Sequence, residues 1–189
     1  MNLQLPLTEP EDAFLRQVER KCGHSLALCY QCGKCTAGCP ISFEMDYPPH
    51  QIIRGVQVGS RSTVLSSRTI WLCAACETCS TRCPQDVDPA GVMNALRQIA
   101  YAEDIRSPEW DIPLFHSLFL RSIRRFGRTF EVGVLGLYKL SSGRLVKDLS
   151  LVPKMLRKGK LGLLPPGNRE SRDVKEIFTE ASKLEGQLQ

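Results

Sequence analysis

Apolar residues recur at three- and four-residue steps through most of this chain, and strict alternation is scarce, so the pattern predicts helices. Thr8-Glu9-Pro10-Glu11 reads as a capping box, opening a helix with Phe14, Val18 and Cys22 at four-residue steps. Asp46, followed by Pro48 and Pro49, opens a second helix that carries Ile52, Ile53 and Val56 and closes near Gly59. Ser67 and Thr69 cap a short helix through Ile70, Trp71 and Leu72. Asp88-Pro89 forms an N-cap and first-turn pair ahead of the stripe Val92, Leu96 and Ile99. Arg106-Ser107-Pro108 marks a boundary. Beyond it come the stripe Ile112, Phe115, Phe119 and Ile123, an apolar segment from Phe130 to Leu140, and a glycine- and proline-rich turn over 159–167. The stretch from Asp173 to Leu184 predicts an amphipathic helix bearing Val174, Ile177, Phe178, Ala181 and Leu184. The expected fold is all-α, with one helical domain over 8–104 and a helical extension over 109–189.

Cysteine usage turns this helical frame into a cofactor protein. Eight of the nine cysteines fall into two runs of one pattern, each closed by proline. The first is Cys29, Cys32, Cys35 and Cys39 before Pro40; the second is Cys73, Cys76, Cys79 and Cys83 before Pro84. This spacing resembles that of bacterial two-cluster ferredoxins, in which each [4Fe–4S] cube takes three thiolates from one run and its fourth from the other. Carried onto these positions, one cluster takes Cys29, Cys32, Cys35 and Cys83, and the other takes Cys73, Cys76, Cys79 and Cys39. Cys35 and Cys39 then serve different clusters while four residues apart, a span of at most about 14 Å. The two clusters are held close, as an electron relay requires. Ordinary two-cluster ferredoxins fold around short strands, but the insert between Cys39 and Cys73 carries helix signals, so an alpha-helical ferredoxin domain is expected.

Zinc and disulfides explain the runs less well. Structural zinc uses one four-ligand set, and two complete runs with Cys-Pro endings exceed that need. A disulfide framework suits a small secreted domain, whereas Met1-Asn2-Leu3-Gln4-Leu5-Pro6 has neither a basic nor an apolar signal region. A cytoplasmic protein is expected. No apolar stretch is long enough to cross a bilayer, so it is not expected to be an integral membrane protein. Cys22, outside both runs, reads as a small buried apolar residue.

Charge alters the picture only locally. The formal net charge of +5 falls to about +1 once eight thiolates and two oxidised cores are counted, which gives no case for nucleic acid. Between Leu120 and Lys160, however, eleven Lys or Arg face only Glu131 and Asp148. This distribution fits a solvated basic face as well as a surface for docking an acidic partner, with an anionic membrane surface or nucleic acid as the remaining readings. Nothing else carries chemistry. His24, His50 and His116 lack metal-ligand spacing and read as surface or capping residues. No Gly-x-Gly-x-x-Gly, P-loop or Gly-x-Ser-x-Gly occurs. Lys34, Thr36, Thr78 and Ser80 sit inside the loops, where they can tune a cluster, and Trp71 beside Cys73 reads as a shield.

The runs with their flanks, Cys29-Tyr30-Gln31-Cys32-Gly33-Lys34-Cys35-Thr36 and Ile70-Trp71-Leu72-Cys73-Ala74-Ala75-Cys76-Glu77-Thr78-Cys79, followed by Cys83-Pro84 and Val87-Asp88, resemble the C subunit of heterodisulfide reductase (HdrC). The resemblance covers roughly Cys29 to Ala100. It implies a helical electron-relay protein within a hetero-oligomer, taking electrons from a flavin- and cluster-bearing partner, HdrA. They would pass to a second partner, HdrB, that cleaves a disulfide at clusters held by CCG motifs. This chain has no Cys-Cys pair and no third cysteine group, so the resemblance implies the relay without the catalytic centre. A membrane-associated respiratory dehydrogenase of the succinate or glycerol-3-phosphate kind is the alternative home for such an iron–sulfur protein.

Overall fold

The computed structural model describes residues 9–143, 155, 157–159, 162 and 171–187. Thr8 of the predicted capping box, the basic residues Arg144, Lys147, Lys154 and Lys160, and most of the turn over 159–167 lie outside the described residues. Among the described residues the secondary structure is helical and contains no strand. The chain divides into two compact units, Met1–Trp110 and Asp111–Gln189.

The first unit is built around two long helices, α1 (Glu9–Cys22) and α7 (Pro89–Ala102). Between them in sequence lie α2 (Lys34–Ala37), α3 (Pro49–Gln57), α4 (Arg61–Leu65), α5 (Thr69–Leu72) and α6 (Thr78–Thr81). Helix α7 starts where Asp88-Pro89 predicts: the Asp88 carboxylate accepts from the Gly91 N–H at 3.1 Å. A Cβ on Gly91 would meet that carboxylate at 2.2 Å, so any larger residue there makes the Asp88 side chain shift. Val92, Leu96 and Ile99 are fully buried, each contributing about 1.5–3 kcal/mol. Helix α7 packs against α1, α3, α4, α5 and α6, which makes it the spine of the unit. Phe14 and Val18 of α1 are buried as the periodicity predicts, but Cys22 is only half-buried, because the helix ends there. Its thiol lies 3.5 Å from the His24 carbonyl, and burial pushes its pKa up.

Asp46 does something other than open α3. That helix begins at Pro48-Pro49 with no side-chain cap. Asp46 instead reaches the start of α5, accepting from Arg68 N–H at 2.8 Å, Thr69 N–H at 3.0 Å and Ser67 Oγ at 2.9 Å. A remote carboxylate therefore supplies the cap, and Ser67 and Thr69 support it. Burial pushes the Asp46 pKa up, but these hydrogen bonds outweigh it and leave the carboxyl below its ordinary value.

The second unit comprises α8 (Asp111–Phe126), α9 (Glu131–Ser142) and α10 (Ser171–Gln187), with α8 packing on both others. Phe115 sits edge-on to Tyr138 at 5.8 Å and stacks on Phe119 at 6.1 Å. Ser122 accepts from Phe130 N–H at 2.8 Å, closing the turn between α8 and α9. Leu118 and Val134 are buried, whereas Leu137, Leu140, Ile177 and Leu184 stay exposed.

Candidate metal centre

Each cysteine run forms a tight loop that turns into one short helix within the run, α2 carrying Cys35 in the first and α6 carrying Cys79 in the second. The two loops take the same backbone course. Gln31 and Ala75 are left-handed at φ 63° and 49°, as are Gly33 and Glu77 at 75° and 61°. Alternate left-handed residues curl the backbone, so cysteines three apart face one space.

Two such spaces exist. An open pocket enclosing about 300 Å³, adjoining solvent included, is lined by Cys29, Cys32, Cys35 and Cys83, with Gln31, His50 and Val87 among its other walls. A second, of about 430 Å³ on the same measure, is lined by Cys39, Cys73, Cys76 and Cys79, with Ile41, Met45 and Met93. Each cavity thus draws three cysteines from one run and the last cysteine from the other. Among the described residues no three His, Cys, Asp or Glu side chains converge as a single-ion site would need. The cysteines instead surround open space. Cys35 is buried, Cys32 and Cys76 are exposed, and the other five are intermediate.

Long side chains from the helices hold the loop entrances. Gln57, ending α3, donates to the Cys29 carbonyl at 3.2 Å and the Leu26 carbonyl at 2.8 Å. Arg97, from the middle of α7, donates to the Cys73 carbonyl at 3.1 Å. Nothing in the sequence marks either residue, since each acts across more than twenty positions. His50 is likewise more than a surface histidine: its Nδ1 lies 2.7 Å from Thr36 Oγ1, tying α3 to α2 at the wall of the first cavity. Ser80 donates to the Asp88 carboxylate at 2.5 Å, so its hydroxyl joins α6 to α7. Trp71 does not line either cavity. It is buried edge-on to Tyr101 at 5.1 Å, and its Nε1 has no partner among the described residues.

The sulfurs are conditioned by their surroundings. Gln31 Nε2 donates to Cys29 Sγ, and Val87 N–H to Cys83 Sγ, both at 3.4 Å. Burial pushes the Cys79 thiol up to about 11, and raises Cys35 and Cys73 despite hydrogen bonds that oppose it. Cys76 goes the other way, lowered by its bonding with Thr78. Loading with metal therefore displaces protons from buried thiols.

Residues 25–87 match the 4Fe-4S dicluster domain family. The chain is 46% identical over 81 residues to the C subunit of the ferredoxin:CoB-CoM heterodisulfide reductase of Methanosarcina acetivorans, covering 43% of this chain and 32% of that protein. Over 95 residues it is 35% identical to the C subunit of the H(2):CoB-CoM heterodisulfide,ferredoxin reductase of Methanothermobacter marburgensis, covering 50% of this chain and 51% of that one. The similarity to the iron-sulfur C subunit 2 of the CoB–CoM heterodisulfide reductase of Methanocaldococcus jannaschii is longer: 32% over 162 residues, 80% of this chain and 83% of that one. The chain belongs to the HdrC family, the C subunits of heterodisulfide reductase. It spans a third to a half of the length of the first two of these HdrC relatives.

As a member of the HdrC family with a dicluster domain, the chain carries two [4Fe–4S] clusters. The residues present fit them. Each cavity offers four thiols on walls that are otherwise mostly apolar, and a low-polarity, half-closed setting is what keeps a cluster from solvent.

Proposed function

We propose that this chain is the electron relay of a heterodisulfide reductase-type complex in the cytoplasm. Cys29, Cys32, Cys35 and Cys83 hold one [4Fe–4S] cluster, and Cys73, Cys76, Cys79 and Cys39 hold the other. The observation that carries this reading is the pair of cavities, each lined by one such set of four cysteines. Each cluster, when bound, accepts and releases one electron. The protein's part is to hold the two sets close together, shield the inner cysteines and expose Cys32 and Cys76 at the surface.

The partners are an HdrA-like flavoprotein, as donor, and an HdrB-like CCG-type protein, where a disulfide is reduced. The domain over 8–104 is the relay proper. The extension over 109–189 docks on these partners, a role supported by the exposed apolar residues Leu137, Leu140, Ile177 and Leu184. Among the described residues no helix is long and apolar enough to cross a membrane.

Anaerobic preparation of the full chain should give about eight iron and eight acid-labile sulfide per chain, with both clusters reversibly reducible. Four iron, or stoichiometric zinc, sinks the proposal. Purification of the native complex should bring down a flavoprotein and a CCG-type protein. A quinone-linked membrane anchor in their place would move the chain to a respiratory dehydrogenase.

A further inference from the structure

The two cysteine loops share a backbone but present opposite charges at their exposed cysteines. Cys32 lies between Tyr30, 59% exposed, and the exposed Lys34. Cys76 lies among Ala74, Ala75 and Glu77, all exposed. Where the first loop uses Gly33 for its second left-handed residue, the second loop uses Glu77, at φ 61°. Glycine adopts that conformation freely, while a residue with a Cβ is strained by about 1 kcal/mol or more. The Glu77 carboxylate has no ion-pair partner among the described residues, so no ion pair within them recovers that cost. A strained, unpaired, exposed charge beside an exposed thiolate points outward, to a partner.

We infer that the face formed by Ala74, Ala75, Cys76 and Glu77 is the docking surface for a redox protein whose own cofactor is rimmed by Lys or Arg. The inference rests on the relay reading. The two alanines let a partner approach the Cys76 sulfur closely, and electron transfer falls steeply with distance. Glu77 supplies the orienting charge, since complementary charge governs encounter rate and register more than affinity. The face of the first loop, with Lys34 and Tyr30, repels the same partner. Charge thus tells the two ends of a pseudo-symmetric unit apart.

The test uses the reduced full-length holoprotein and two outer-sphere oxidants, cationic tris(ethylenediamine)cobalt(III) and anionic cobalt(III)–EDTA. In each encounter one electron leaves the protein and cobalt(III) becomes cobalt(II), with no proton moved. At low salt, Glu77→Gln and Glu77→Gly should slow oxidation by the cation severalfold without slowing oxidation by the anion, and the effect should fade as salt rises. Lys34→Gln should slow the anion instead. Glu77→Gly should also keep both clusters and raise the melting temperature, which a purely structural Glu77 would not combine with a slower reaction. In the native complex, Glu77→Lys should release one partner protein and Lys34→Glu the other. Unchanged cation rates in both Glu77 variants overturn the inference, as does retention of both partners by Glu77→Lys. A protein without two reducible clusters would instead bring down the relay reading.

Discussion

The Asp46 carboxylate accepts a hydrogen bond from the Thr69 backbone N–H at 3.0 Å, 23 positions further along the chain. This contact joins the segment after the first cysteine run to the helix that delivers Cys73. With the bonds from Ser67 and Arg68 it makes Asp46 the cap of α5. A cap normally sits next to its helix; here the insert between the runs folds back to supply it.

Replacing Asp46 with alanine should cost about 1–2 kcal/mol, in line with the loss of a helix cap. The pH dependence follows from the direction of its pKa. A carboxyl held below the usual 3.8 contributes stability that is complete above that value and lost as pH falls through the lowered one. The difference in melting temperature between wild type and Asp46→Ala should therefore hold steady from pH 8 to pH 5. A difference that already fades across that range would show that the carboxyl titrates normally or high.

Cys39→Ser should remove the cluster of the second run and spare the first, and Cys83→Ser should do the reverse. Iron content together with the electron paramagnetic resonance of the surviving cluster measures this. Loss confined to the mutated run in both variants would mean that each run binds its own cluster.

Arg97 places a cation and a hydrogen bond on the Cys73 carbonyl, and its charge opposes the rise in the Cys73 pKa. Arg97→Met should lower the midpoint potential of the second-run cluster, because a reduced and more negative centre loses a nearby positive charge. A stability loss of about 1–2 kcal/mol should accompany it. Gln57→Leu loosens the first loop at the corresponding carbonyl without removing a charge, so the second-run potential should stay put. Equal shifts from both variants would count against a local effect.

Trp71 contributes packing rather than hydrogen bonding, since its indole N–H is buried without a partner among the described residues. Trp71→Phe should stay within about 1 kcal/mol of wild type, the lost area being offset by removal of an unsatisfied donor. Trp71→Ala should cost about 3–5 kcal/mol through the cavity it leaves against Tyr101. Chemical denaturation of the holoprotein separates the two. A large loss in Trp71→Phe would mean that the indole nitrogen is bonded after all.

Local chemistry accounts for what is legible in the residues alone. Periodic apolar positions mark α1 and α7 because a helix repeats every 3.6 residues, and Asp88-Pro89 marks the start of α7 because capping acts within one turn. Cysteine spacing and the closing prolines identify the cofactor for the same reason: three corners of a cube lie within one loop's reach. Relationships across the fold have no such local signature. That Asp46 caps α5 rather than α3, that Gln57 and Arg97 hold the loop entrances, and that His50 meets Thr36 all depend on how helices pack. The crossed sets, Cys39 with the second run and Cys83 with the first, are by contrast already implied by the resemblance of the spacing to two-cluster ferredoxins. The twin runs determine that two clusters are bound. Only closure of the chain around α7 decides which other side chains surround each one, because loop closure brings together residues whose sequence separation leaves no periodic trace.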